Sequence, residues 1–247
     1  MTRIFSGTVA ALLLSPAVFA QTPAPPQAQP MSQQQINEEM LKELRAIHQL
    51  LERLTTPQQP AAQPTSATIT NLKGYQLGKA DAPLTMIEFT DLQCPYCRQY
   101  ASTTFDEIKK NWIDTGKLRY ISRDFPLDFH PFAMQAARAA RCAGEQGKFW
   151  EMRMSLMRNA NLLSTDYVAK TAADLKLNTK AFGECTASTK YDAEIQADTQ
   201  EGGRIGVEGT PTFVVGKTTA NSVAGPIIVG ALPYAVFDAK LKELLGR

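Results

Sequence analysis

The stretch Leu84-Thr85-Met86-Ile87-Glu88-Phe89-Thr90-Asp91-Leu92-Gln93-Cys94-Pro95-Tyr96-Cys97 decides the fold. Its first half is an apolar, β-prone run, and its end is a pair of cysteines separated by two residues. Beyond it Ala101, Phe105, Ile108 and Trp112 recur at helical spacing, so the pair falls where a strand feeds a helix. Pro95 suits the first helical position, where its missing N–H costs nothing. Cys94 then sits at the positive end of that helix, facing free N–H groups. A thiolate is stabilised there, and a thiol of about 8.5 can fall to roughly 3.5–7.5. Cys97, one turn on, can close a reversible disulfide with it. The pattern reads as a redox dithiol.

Competing uses of two cysteines are weaker. A structural zinc site needs four ligands, usually from two such pairs, and no second C-x-x-C exists here. Of the two histidines, His48 lies in a separate segment and His130, just before Pro131, reads as a helix-start residue. Met152, Met154 and Met157 offer soft copper ligands, but thioethers at helical spacing beside Phe149 and Trp150 read as core filler. No cofactor or metal is called for. The net charge of +2 gives no argument for nucleic acid or for a membrane surface.

Outward from the dithiol, the N-terminal side divides into short segments. Arg3, an apolar run from Val9 to Leu14, and Ala17-Val18-Phe19-Ala20 make residues 1–20 a secretory signal peptide. The mature chain is then expected in an oxidising compartment, the periplasm. Seven of the fifteen prolines lie between Pro23 and Pro64, so residues 21–31 and 56–71 read as extended Pro/Gln/Ala-rich linkers. Between them, residues 32–55 form one amphipathic helix. Ser32 and Gln35 suit a capping box, and Ile36, Met40, Leu44, Ile47, Leu51 and Leu54 alternate spacings of four and three. That heptad seam, widened by Leu41 and Leu50, predicts a homo-oligomer through residues 32–54, a trimer rather than a dimer. Folding back of the stripe onto its own chain is the other use of such a face.

Residues 72–247 read as one α/β domain. Strands are expected over Leu84–Thr90, Lys117–Ser122, Thr212–Val215 and Ile227–Val229, with helices from Pro95 to about Ile113 and from Tyr234 to Leu245. A helical block at about 130–206 separates the two halves of the sheet. Glu88 lies inside an apolar strand, where burying an acid is costly without a purpose; alternation alone would also allow it to face solvent. If buried, Arg119 or Arg123 on the next strand could balance it.

Glu88-Phe-Thr-Asp-Leu-Gln-Cys94-Pro-Tyr-Cys97, with Gly209-Thr210-Pro211-Thr212-Phe213 downstream, resembles the DsbA-like thiol:disulfide oxidoreductases, bacterial envelope proteins of thioredoxin fold. The resemblance covers roughly Gly78 to Leu245. It implies a thioredoxin fold with an inserted helical subdomain, Cys94 as attacking and Cys97 as resolving cysteine, and a cis-proline loop at Thr210-Pro211. It also implies that Glu88 is the buried acid that moves the Cys97 proton. Cys142 and Cys185 fall in the insertion. Leftover cysteines in a secreted chain more often bridge than react, and the run around Arg141-Cys142 is similar to family members stapled this way. A shuttle role for Cys142 and Cys185 is the alternative.

Pro95 and Tyr96 in the dipeptide and Thr210 before Pro211 are similar to the branch containing DsbG and ScsC, whereas the oxidase DsbA carries Val there. Three functions follow. The chain is expected to be an oligomeric disulfide isomerase or reductase. The alternatives are a disulfide-donating oxidase and a holdase-like envelope chaperone with an incidental dithiol. The expected partners are unfolded or misdisulfided envelope proteins and a membrane thiol redox partner.

Overall fold

The structure, a computed structural model, describes residues 31–55 and 64–246. The signal peptide expected at 1–20, most of the 21–31 linker, and residues 56–63 of the second linker lie outside those residues. The chain divides into two units, residues 1–59 and 60–247.

In the first unit, α1 spans Gln33–Thr55. The capping box closes it: Ser32 N donates to Gln35 Oε1 at 2.9 Å and Gln35 N to Ser32 Oγ at 3.3 Å. Its stripe residues Ile36, Met40, Leu44 and Ile47 are exposed.

The second unit is a six-stranded sheet flanked by helices. In chain order the strands are β1 (Ser66–Ile69), β2 (Tyr75–Leu77), β3 (Leu84–Thr90), β4 (Leu118–Asp124), β5 (Thr212–Thr218) and β6 (Val223–Val229). The helices are α2 (Pro95–Thr103), α3 (Phe105–Ile108), α4 (Ala133–Gly144), α5 (Phe149–Arg158), α6 (Thr165–Asp174), α7 (Thr179–Ala187), α8 (Asp192–Arg204) and α9 (Tyr234–Leu245). The sheet order is β1-β6-β5-β3-β4-β2, with β3 parallel to β4 and antiparallel to β5. Every residue of β3 is buried, as a central strand covered on both faces requires. Leu84 and Met86 pack with α2, α3 and α9 on one face, while Ile87 and Phe89 pack with Ile205 and Val214 on the other. Strand parity therefore puts Glu88 on the face of the dithiol helix.

Two expectations need correction. The linker reading of residues 56–71 fails over Ser66–Ile69, which pair antiparallel with β6 from Ser66↔Pro226 to Ile69↔Val223. This edge strand buries Ile69, and its Pro/Gln/Ala-rich flank hides it from composition. The single helix expected from Pro95 to about Ile113 breaks at Thr104. There the Thr103 hydroxyl bonds back to Gln99 O at 2.8 Å and the Thr104 hydroxyl donates to Leu232 O at 3.0 Å, and a π-turn over Lys109–Ile113 follows. The short strand β2, paired with β4, had no strand signal of its own. The helical block runs from α4 to α8, and Cys142 and Cys185 are bonded across it, tying α4 to α7.

Candidate active site

Cys94 is the N-cap of α2, with Pro95 at the first helical position and no side-chain hydrogen bond capping the helix. The sulfur thus occupies the place a capping oxygen would take, and the N–H groups of Tyr96 and Cys97 point at it. The Cys94 thiol is pulled down to about 6. The hydrogen bond from Cys97 is the largest cause, burial opposes it, and the Thr210 hydroxyl and those two N–H groups add to it. Cys97 is fully buried, and burial, the hydrogen bond to Cys94, and the charges of Cys94 and Glu88 push its thiol well above the ordinary cysteine value. Pro95 and Tyr96 are exposed beside them.

Thr210-Pro211 is a cis peptide leading into β5. The Thr210 carbonyl accepts from Cys94 Sγ at 3.3 Å. Its hydroxyl, buried and without a hydrogen-bond partner among the described residues, lies near both sulfurs and favours charge on either.

Glu88 is fully buried under the dithiol, so the solvent-facing alternative fails. Neither Arg119 nor Arg123 balances it. Arg119 bonds Gln76 at 2.7 Å, and Arg123 bonds Asp198 at 2.5 Å on the opposite face of the sheet. The counter-charge is Arg153 of α5, whose Nη2 donates to Glu88 Oε2. Tyr120 OH donates to the same oxygen at 2.5 Å and lies 3.4 Å from Tyr100 OH. Both phenols are held well above their ordinary range by burial and then by the Glu88 charge.

Asp91 is a further site residue that motif reading passed over. Its backbone carbonyl accepts from Cys94 N at 3.1 Å. Its buried carboxylate accepts from Gln93 N at 2.7 Å and Leu127 N at 2.9 Å, and meets His130 Nδ1 at 2.7 Å. His130 is therefore more than a helix-start residue: with Asp91 it ties the connector before Cys94 to the loop before α4. The available signal was an acid in a short polar connector, a residue type that hydrogen-bonds local backbone. An open hollow of about 690 Å³, lined by Pro95, Tyr96, Arg98, Gln99, Ser102 and Arg158, lies along the start of α2 beside the exposed Pro95-Tyr96 dipeptide.

Met152 and Met157 are buried in the core of the insertion, and the Met154 sulfur accepts from Arg153 Nη1 at 3.3 Å. Among the described residues, Cys142, Glu145 and Cys185 come within metal-ligating reach of one another, and there the sulfurs are bonded together.

A family model described as thioredoxin matches residues 70–225. The chain belongs to the thioredoxin family. Among solved structures, alpha-DsbA1 of Wolbachia pipientis is similar at 26% identity and a TM-score of 0.63, over 69% of this chain and 90% of that one. BdbD from Bacillus subtilis, at 22% identity and a TM-score of 0.59 over 70% and 92% of the two chains, shares the fold. These neighbours agree with the DsbA-like resemblance, and with the dithiol they make this thioredoxin-family chain a thiol-disulfide oxidoreductase. A curated relative, Na(+)/H(+) antiporter NhaA 3 of Salinispora tropica, is 35% identical over 163 residues. The match covers 66% of this chain but only 24% of the antiporter. No helix among the described residues is long and apolar enough to cross a membrane.

Proposed function

We propose that the chain is a periplasmic thiol:disulfide oxidoreductase acting as an oligomeric disulfide isomerase or reductase on misdisulfided envelope proteins. The observation that carries the reading is the division of labour between the two thiols. At about 6, Cys94 is roughly nine-tenths thiolate at pH 7, against a few per cent for a free cysteine. Cys97 stays protonated and buried. The Cys94 thiolate attacks a client disulfide, and the Cys97 thiol waits to resolve the mixed disulfide. Thr210 before Pro211 and the exposed apolar stripe of α1 favour isomerase over oxidase. Several dithiols on one assembly, a trimer rather than a dimer, raise their effective concentration around a client. A membrane thiol partner would reset the pair.

A disulfide-donating oxidase is the second reading. It is favoured by the depressed Cys94 thiol, which stabilises the reduced form and makes the disulfide more oxidising. Refolding of scrambled ribonuclease tests the two. Recovery of activity by the reduced protein supports the isomerase, and activity only on reduced ribonuclease by the oxidised protein supports the oxidase. A holdase keeps its effect on aggregation when Cys94 and Cys97 are both replaced by Ser.

A further inference from the structure

The hollow at the start of α2 is lined by two arginines and no acid, and this bears on which client cysteines Cys94 attacks fastest; the inference rests on the redox reading above. Arg98 follows Cys94 by one helical turn, and its backbone N–H donates to the Cys94 carbonyl at 3.0 Å. Cys97 and Tyr100 are buried, whereas Arg98 is half-buried beside Tyr96, itself 63% exposed. Arg98 Nη1 donates to Asn161 Oδ1 at 3.1 Å, in the short turn Ala160–Leu162 that follows α5. Asn161 is neutral, and among the described residues no carboxylate pairs with Arg98. Arg158, from the end of α5, donates to Ala101 O through Nε at 3.4 Å and Nη2 at 3.3 Å. Its Nη2 also meets the Asp106 oxygens at 2.8 and 2.7 Å. The Arg158 charge is thus matched by Asp106, and that of Arg98 is left over.

We propose that Arg98 is a specificity-determining residue: it favours attack on a client cysteine flanked by an aspartate or glutamate, whose carboxylate it meets in the hollow. In the step concerned, the Cys94 thiolate attacks one sulfur of the client disulfide. The Cys94–client bond forms, the client S–S bond breaks, and the other client sulfur leaves as a thiolate with the electron pair. A carboxylate beside that disulfide repels the incoming thiolate, so acid-flanked cysteines are the poorest targets of an unaided anionic nucleophile. A guanidinium one turn from Cys94 turns that repulsion into attraction. The distances suit each other: four residues advance about 6 Å along a helix, and an extended client covers about as much in two residues.

Preorganisation separates this wall from a pair of solvated surface arginines. Asn161 holds Arg98, while Ala101 and Asp106 hold Arg158, so a meeting with a carboxylate orders only the client's side chain. Arg98 Nε and Nη2 have no acceptor among the described residues. They form the side-on fork of the guanidinium, whose parallel N–H groups match the two oxygens of a carboxylate. A client lysine at the same place meets like charge, so the wall disfavours one flank as well as favouring another. Asn161 and Arg158 both belong to the helical insertion, which therefore shapes the choice of client made at the dithiol helix.

The test uses the full chain and peptides whose single cysteine carries a neutral thiopyridyl group, so that attack by Cys94 releases a thione followed by absorbance in stopped flow. Asp, Asn or Lys is placed two residues before or two residues after the cysteine. At pH 7 Asp should react about three- to fivefold faster than Asn at one flank and equally at the other, with Lys slowest at the responsive flank. Each ratio compares peptides on one protein, so a change in Cys94 ionisation cancels. Arg98→Gln should bring the ratio to about one, and Arg98→Glu should invert it in favour of Lys. Lys110→Gln removes an exposed cation that does not line the hollow and should leave the ratio as it was. In about 1 M salt, where charges are screened beyond about 3 Å, the preference should vanish. No preference, an equal preference at both flanks, or one that survives Arg98→Gln overturns the proposal. Failure of every peptide to form a mixed disulfide with the unmodified protein sinks the redox reading itself, and the Arg98 role with it.

Discussion

The Thr210 carbonyl accepts a hydrogen bond from Cys94 Sγ at 3.3 Å across 116 residues of chain. The Cys94 sulfur is therefore held between the start of one helix and the loop that opens β5, and its ionisation depends on both.

The Cys94 alkylation rate plotted against pH should have its midpoint near 6, with Cys97 unlabelled in the folded protein. Thr210→Val removes the hydroxyl that faces both sulfurs and should move the Cys94 midpoint up by roughly 0.5–1 unit. Because the folded thiol ionises below the unfolded one, its stabilisation is present above the ordinary cysteine value and lost as pH falls through 6. The melting temperature of the reduced protein should accordingly gain on that of the oxidised protein as pH rises across that window. A midpoint at the ordinary cysteine value would sink the assignment.

The bond between Cys142 and Cys185 closes a sequence separation of 43 residues, worth about 4 kcal/mol in the chain-entropy picture. Replacing both by Ala should lower the urea midpoint correspondingly while leaving Cys94 alkylation unchanged. Intact-mass measurement after alkylation without reductant should find them joined; trapping of a client on either sulfur in a Cys97 variant would favour the shuttle alternative.

Asp198 accepts from Arg123 Nη1 at 2.5 Å, from Arg141 Nη2 at 2.6 Å and from Asp124 N at 3.3 Å, all buried. Asp198→Ala removes the carboxylate shared by two buried guanidinium groups and should cost roughly 3–5 kcal/mol by urea denaturation. Glu194 also bonds Arg141, at 2.6 Å, but its side chain is 64% exposed. Glu194→Ala should cost no more than about 1 kcal/mol. Similar losses for both would show that the buried lattice is not what holds α8 to β4.

Leu44→Lys with Ile47→Lys places charge in the α1 stripe. Light scattering should report an oligomer for the unchanged chain and a monomer for this variant, and isomerase activity should fall while simple thiol exchange by Cys94 persists. A monomeric unchanged chain would remove the oligomer from the proposal.

How much of this was legible depends on how local each signal is. Cys94, Pro95 and Cys97 announce a helix start within four residues, and the Thr210-Pro211 loop announces itself by motif. Arg153 does not: it lies 65 residues from Glu88, in a helix rich in methionine, where an arginine reads as a solvent-facing residue. Nearness in the sheet pointed to Arg119 and Arg123 instead, because strand neighbours can be read from sequence and helix packing cannot. The Asp91–His130 contact joins two connectors whose meeting only the fold creates. The first edge strand was masked by its flank, since a few β-prone residues beside Pro, Gln and Ala do not outweigh the average composition.

The salt bridge between Arg153 and Glu88 also limits how this chain can be cut or recombined. A thioredoxin core trimmed of residues 130–206 would retain every strand and both sulfurs of the dithiol, yet would keep an acid in its interior with nothing to neutralise it. Equally, a foreign helical subdomain grafted onto β3 would have to bring its own guanidinium to the same point. Sheet and insertion are thus not interchangeable parts: a change at either end of this ion pair calls for a matching change at the other.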